Sequence, residues 1–215
     1  MSKVTRLQVF AGADAPVRHA LNRLVLEHWQ TLRGVQPVPA KDALGLKTLA
    51  RALPWLGLVE MQPEKGKAVL RWRLAGSGLC RIWKRELKGS RVLDGWPQFE
   101  RRTLLRMLER TRKTARPFVA RLKFPESGHG SGLRFEAMCL PVMAGKETLL
   151  LFTLVPESAD IRLDFIHHGR IELQSLRSLP LALHGRDAIA PGDRTFGHAR
   201  TPGKAGLRVI PGGLE

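Results

Sequence analysis

The stretch Ala68-Val-Leu-Arg-Trp-Arg-Leu-Ala75, broken at once by Gly76-Ser-Gly78, decides how the rest of the chain is read. Ala68, Leu70, Trp72 and Leu74 alternate with Val69, Arg71 and Arg73. A period of two with arginines on one side marks a half-exposed strand. Upstream, the apolar run Trp55 to Met61 reads as a second strand. The turn Pro63-Glu-Lys-Gly66 between them makes a hairpin. Downstream, Leu79 to Leu87 reads as one or two short helical turns, and Lys88 to Gly95 as a turn-rich connector. Gln98 to Thr114 then reads as a helix. Phe99, Leu104, Leu105, Met107 and Leu108 supply its apolar side; Arg101, Arg102, Arg106, Arg110, Arg112 and Lys113 supply most of its charge.

Three further strands are expected beyond that helix. Phe118 to Phe124 is the first. The turn Glu126-Ser-Gly-His-Gly-Ser-Gly132 leads into Leu133 to Met143, and Ala144-Gly-Lys146 turns into Glu147 to Val155. Short polar turns between such runs predict an antiparallel meander. Before the hairpin, Asp14 is placed to cap a helix from Pro16 to about Arg33. Leu21, Leu24, Val25, His28 and Leu32 recur on one face of it, and Gly34 ends it. A proline-rich step follows, then a short helix from Asp42 to Leu53, closed by Pro54. The segment after residue 159 is rich in Gly and Pro, with enough apolar residues for local structure only between Ile161 and Leu183. The expected organisation is a leader and helix over 1–34, a domain over 35–158, and a partly disordered extension over 159–215.

A chain of 215 residues suits one domain with extensions. Apolar residues make up 43%, enough for a real core. The longest apolar run, Leu149 to Val155, is too short to cross a bilayer, which takes about 20 residues. The N-terminus carries no hydrophobic run of the secretory kind. Cys80 and Cys139 have no metal-ligand spacing and fit a reducing cytoplasm. The formal charge of +17 raises nucleic acid, anionic lipid and acidic protein as partners. Arginine enrichment also follows from genomic base composition, so charge alone does not choose.

Catalytic motifs are sought without success. Gly76-Ser-Gly78 lacks the third glycine of a dinucleotide fingerprint, and no glycine-rich loop ends in Lys-Ser or Lys-Thr. In Gly128-His-Gly-Ser-Gly132 the place two before the serine, which a nucleophile elbow gives to glycine, holds His129. His167 and His168 are adjacent and cannot readily share one ion, whereas residues about four apart share a helix face. Cys80-Arg81 lacks the rest of a flavin-reactive helix motif. No catalytic residue and no metal ligand is assigned, no cofactor is named, and the chain is expected not to be an enzyme.

The order strand, strand, helices, strand, strand, strand is that of a PAS domain. Local motifs agree with it: Trp29 with Leu32-Arg-Gly34, then Pro37-Val-Pro39, Leu53-Pro54, Trp72-Arg-Leu-Ala-Gly-Ser77 and Leu87-Lys-Gly-Ser-Arg91. This series resembles a family of short bacterial PAS-like proteins of alphaproteobacterial type, over roughly residues 28–156. Trp72 stands where that family usually has tyrosine, and Lys88 where it has threonine. The resemblance implies an α+β fold: a five-stranded antiparallel sheet (55–61, 68–75, 117–124, 132–143, 146–156) with helices on one face. It also implies a sensory or regulatory role through small-molecule sensing or protein contact.

In such a fold Trp72, Cys80, Trp83, Phe99, Met107 and Phe118 surround the space between sheet and helices. They either line a small-molecule cavity or fill an ordinary core. The stripe Leu21, Leu24, Val25, His28 and Leu32 must be covered, either by the chain's own sheet or by the same helix of a second chain, giving a homodimer. Partner expectations are therefore a homodimer and a signalling protein. Nucleic acid is the alternative, reached through the basic helix 98–114 and the arginine-bearing strand 68–75.

Overall fold

The alternation at 68–75 forms a strand as expected. In the computed structural model, strand β1 (Leu56–Glu64) and strand β2 (Lys67–Ala75) pair antiparallel from Glu64↔Lys67 to Gly57↔Ala75. A bulge at Leu58/Val59 shifts the register. Leu70 and Trp72 turn into the core. The intervening arginines bind acids of β1: Arg73 Nη1 lies 3.1 Å from Glu60, and Arg71 Nη2 lies 2.6 Å from Glu64. The structure describes residues 16–45, 47–124, 132–158 and 170–180, all within one compact unit, Met1–His184. Asp14, most of the 126–132 turn, His167, His168 and residues 181–215 lie outside the described residues.

Helix α1 (Ala20–Arg33) precedes the hairpin. Helices α2 (Ser77–Trp83) and α3 (Gln98–Thr114) follow it. Strands β3 (Phe118–Phe124), β4 (Leu133–Ala144) and β5 (Glu147–Pro156) make the meander. The five strands read from the sequence are all present. The count of five is corrected by a sixth, β6 (Glu172–Ser178), which pairs with β3 and extends the sheet to the order β2-β1-β5-β4-β3-β6. β6 comes from the segment assigned to the extension. Its outer position explains why it was missed: only one strand pairs with it, and no residue of it is fully buried.

The sheet buries side chains on both faces. α2, α3 and the 87–96 connector cover one face, with Leu104 and Leu108 of α3 in the same core as Val59, Trp72, Phe118 and Phe135 of the sheet. α1 covers the other, over Leu58, Met138, Leu140, Val142 and Leu149. This explains why β4 and β5 read as nearly unbroken apolar runs. Each large aliphatic side chain removed from water contributes about 1.5–3 kcal/mol.

Two local readings change. α1 begins at Ala20, because His19 is its cap: the ring Nδ1 accepts the N–H of Leu21 at 3.1 Å. The helix expected over 42–53 is replaced by two 3₁₀ turns, Lys41–Leu44 and Leu53–Trp55. Gly45, left-handed at φ 52°, stops the first turn, and Pro54 sits at the start of the second, just after Leu53.

The motifs that carried the resemblance meet one another in space. Gly76 donates its N–H to Leu56 at 2.8 Å. A Cβ at Gly76 would stand 2.0 Å from the carbonyl oxygen of Leu53, so only glycine lets α2 start there. Met143 donates its N–H to Pro39 at 2.9 Å. The Lys88–Val92 connector binds the outer edge of β2: Gly89 N–H to Trp72 O (2.7 Å), Trp72 N–H to Ser90 O (3.0 Å) and Val92 N–H to Leu70 O (2.9 Å). Arg91 joins Arg71 on Glu64, and the hydrogen bond from Arg91, followed by that from Arg71, holds this carboxyl below its usual range.

Candidate functional site

The space between sheet and helices is built from rings. Trp83 stacks on Trp96 with centroids 6.2 Å apart, and both meet Phe124 edge-on at 6.2 and 6.1 Å. Phe124 lies 4.7 Å from Phe135, and Trp72 meets Phe152 edge-on at 5.5 Å. Edge-on and offset pairs of this kind are favoured by the ring quadrupoles, about 0.5–1.5 kcal/mol each beyond area burial. The cleft left among Trp72, Trp83, Trp96 and Phe152 holds about 10 Å³, no more than the room for one water.

Five of the six residues expected around this space are there. Trp72 and Phe118 are buried; Cys80, Trp83 and Met107 are half-buried and packed against the core. Phe99 is not: it is 71% exposed. At 100° per residue it points away from Leu104 and Leu108, on the outward side of α3. Trp96, Phe124, Phe135 and Phe152 complete the cluster and were not singled out in the sequence. The Cys80 thiol contacts Glu86 Oε1 at 3.6 Å, and burial raises its pKa above the ordinary thiol value. Burial raises that of Cys139 much further. Neither is an activated nucleophile.

On the opposite face, α1 is held by a polar junction. Glu136 of β4 is fully buried. Its carboxylate accepts the backbone N–H of Arg18 (2.8 Å) and of His19 (2.9 Å), and the side-chain amide of Asn22 (3.1 Å). Thr153 of β5 donates to the Asn22 oxygen at 2.6 Å. Arg121 Nε stands 4.0 Å from the carboxylate, an ion pair beyond hydrogen-bond reach. Two turns further on, Trp29 is fully buried, donates Nε1–H to Pro141 O at 2.7 Å, and lies under the Arg33 guanidinium, 5.7 Å from the ring centre.

α1 therefore folds back on its own sheet. The side it buries is Asn22, Val25, Trp29 and Arg33. Of the stripe read from the sequence, Val25 is buried, Leu32 packs on this core, and half-buried His28 bonds Leu44 O at 2.6 Å. Leu21 and Leu24 are half-buried at the margin. Beside α1, a groove of about 550 Å³ runs over Leu44, Leu56, Leu58, Leu74 and Leu151, with Lys41 and Arg73 at its rim.

The His19 cap makes this junction sensitive to acid. Burial, the largest influence, lowers the pKa of His19 below 6.5, against the pull of Glu136. The unfolded chain therefore takes up the proton first. The stability His19 contributes is complete above about pH 6.5 and is lost as pH falls below it. Protonation also removes the lone pair that accepts Leu21 N–H. Urea midpoints are expected to fall on acidification from about pH 7.5 to 5, more steeply in wild type than in His19→Asn, which caps without titrating. Parallel pH profiles would refute this role.

Among the described residues no helix is long and apolar enough to cross a membrane, and no group of His, Cys, Asp and Glu is arranged to hold a metal ion. Compared with known protein families, residues 17–154 match one described as a PAS domain. A search of curated proteins and a search of solved structures each return no match.

Proposed function

This chain belongs to the PAS domain family, and from that premise we propose that it is a non-catalytic regulatory module of cytoplasmic signalling that works through contact with a partner protein. The observation that carries this reading is the filled interior. Small-molecule sites usually offer about 300–1,000 Å³; between the sheet and α2–α3 the cleft among Trp72, Trp83 and Trp96 leaves about 10 Å³, and the groove of about 550 Å³ over Leu56, Leu58 and Leu151 lies on the other face of the sheet. The free thiols Cys80 and Cys139 fit a reducing compartment. A homodimer through α1 is the lesser reading, because Val25 and Trp29 are engaged by the chain's own sheet.

Native mass spectrometry of protein purified without denaturant tests both points. The expected spectrum is the bare mass of one chain. A stoichiometric organic adduct would overturn protein contact as the mode of action. A pair of chains persisting at low micromolar concentration would restore the homodimer.

A further inference from the structure

α3 carries six cations against two acids, Glu100 and Glu109. Their placement says more than their number. At 100° per residue, Phe99, Arg102, Arg106, Arg110 and Lys113 fall within an arc of about 80°. That arc is opposite the buried side of the helix, Leu104, Leu108 and Thr111. All five residues are exposed, and among the described residues none of the four cations forms an ion pair.

The arrangement does not serve the helix. Arg102–Arg106 and Arg106–Arg110 are like charges four residues apart, which is destabilising. Of the four cations only Lys113, in the last turn, is favoured by the helix dipole; Arg102, Arg106 and Arg110 lie too far inside the helix to gain from it. A stripe kept at a cost in stability calls for an anionic partner.

We propose that this face of α3 binds the phosphate backbone of single-stranded nucleic acid, with Phe99 stacking on a base at one end. The four cations span about 16 Å, a track along which successive phosphates can be neutralised. Three of the four are arginines, whose planar forks match phosphate oxygens. A charged track with an adjacent exposed ring is how single strands are held without sequence preference. A membrane surface fits less well: an interfacial helix inserts an apolar face, and the apolar face of α3 is packed on the sheet. An acidic protein also fits less well. Protein interface centres are depleted of charge and rich in aromatic and apolar groups, and this arc offers one ring among four charges.

The test is fluorescence anisotropy with a labelled mixed-sequence single-stranded oligonucleotide, as DNA and as RNA, near physiological salt. Arg102→Glu/Arg106→Glu/Arg110→Glu is expected to weaken binding about tenfold or more and to reduce the salt slope by about two. The control Lys67→Glu/Lys88→Glu/Lys146→Glu changes net charge equally at other exposed sites. It is expected to cost less than about threefold. Phe99→Ser should weaken binding to the single strand and leave duplex binding unchanged. All substituted side chains are exposed, and circular dichroism confirms folding of each variant. Absence of wild-type binding, or equal loss in both triple variants, would overturn the proposal. So would binding confined to phosphatidylserine vesicles or polyglutamate.

Discussion

Glu136→Ala is expected to remove about 3–5 kcal/mol of folding stability, read as a shift of the urea midpoint at neutral pH with an unchanged slope. The carboxylate has no exposure and accepts three N–H groups, those of Arg18, His19 and the Asn22 amide. Removing it strands the N–H groups of Arg18 and His19, leaves the Asn22 amide with only the backbone carbonyl of residue 136, and leaves the Arg121 charge without its counter-ion. Each stranded donor costs about 1–3 kcal/mol if water cannot reach it. Glu136→Gln is the informative partner. It restores the shape but offers one acceptor oxygen where the carboxylate has two, and aims an NH₂ at another donor. Its loss should therefore fall between wild type and alanine. A midpoint for Glu136→Ala within error of wild type would show that the junction does not hold α1 to the sheet.

Trp29→Ala is expected to cost a similar amount, about 3–5 kcal/mol, for a different reason. The indole is the largest fully buried side chain on the α1 side, and alanine leaves a void among Leu140, Val142 and Leu149. Trp29→Phe keeps much of the volume but forfeits the 2.7 Å bond to Pro141, leaving a buried carbonyl short of a donor at about 1–2 kcal/mol. The ordering wild type, phenylalanine, alanine in guanidinium midpoints checks this. Alanine and phenylalanine variants of equal stability would mean that the void closes and the hydrogen bond alone matters.

These two residues also mark where sequence reading stopped. Alternation at 68–75 and short turns between apolar runs were sufficient for the antiparallel sheet, because period two needs no knowledge of partners. For α1 the same method chose Leu21, Leu24 and Val25 and passed over Asn22 and Trp29. Asn22 looks like a solvent residue. It is buried because Glu136 and Thr153, 114 and 131 residues away, satisfy its amide, and no local pattern contains that fact. The one local signal was Glu136 itself, an acid inside the apolar run Phe135–Val142, since an acid there must have partners. Phe99 was a different kind of miss. Angular arithmetic along α3 places it away from Leu104 and Leu108, so its exposure was legible from residue spacing alone. The aromatic cluster was visible only in part, since Trp96 sits in a connector whose path follows from its docking against β2.

That docking has a consequence for how the protein can self-assemble. β2 and β6 are the two ends of the sheet. The middle of β2 is already bonded to Gly89, Ser90 and Val92. Among the described residues, an incoming strand therefore finds a continuous free edge only along β6. Polymerisation by strand addition needs two adhesive edges per subunit, so that each joins one neighbour and offers itself to the next. A subunit with one such edge can only meet its own kind across a two-fold axis, and the assembly is then closed. Among the described residues, the short connector thus works as a chain terminator on the β2 side of the sheet.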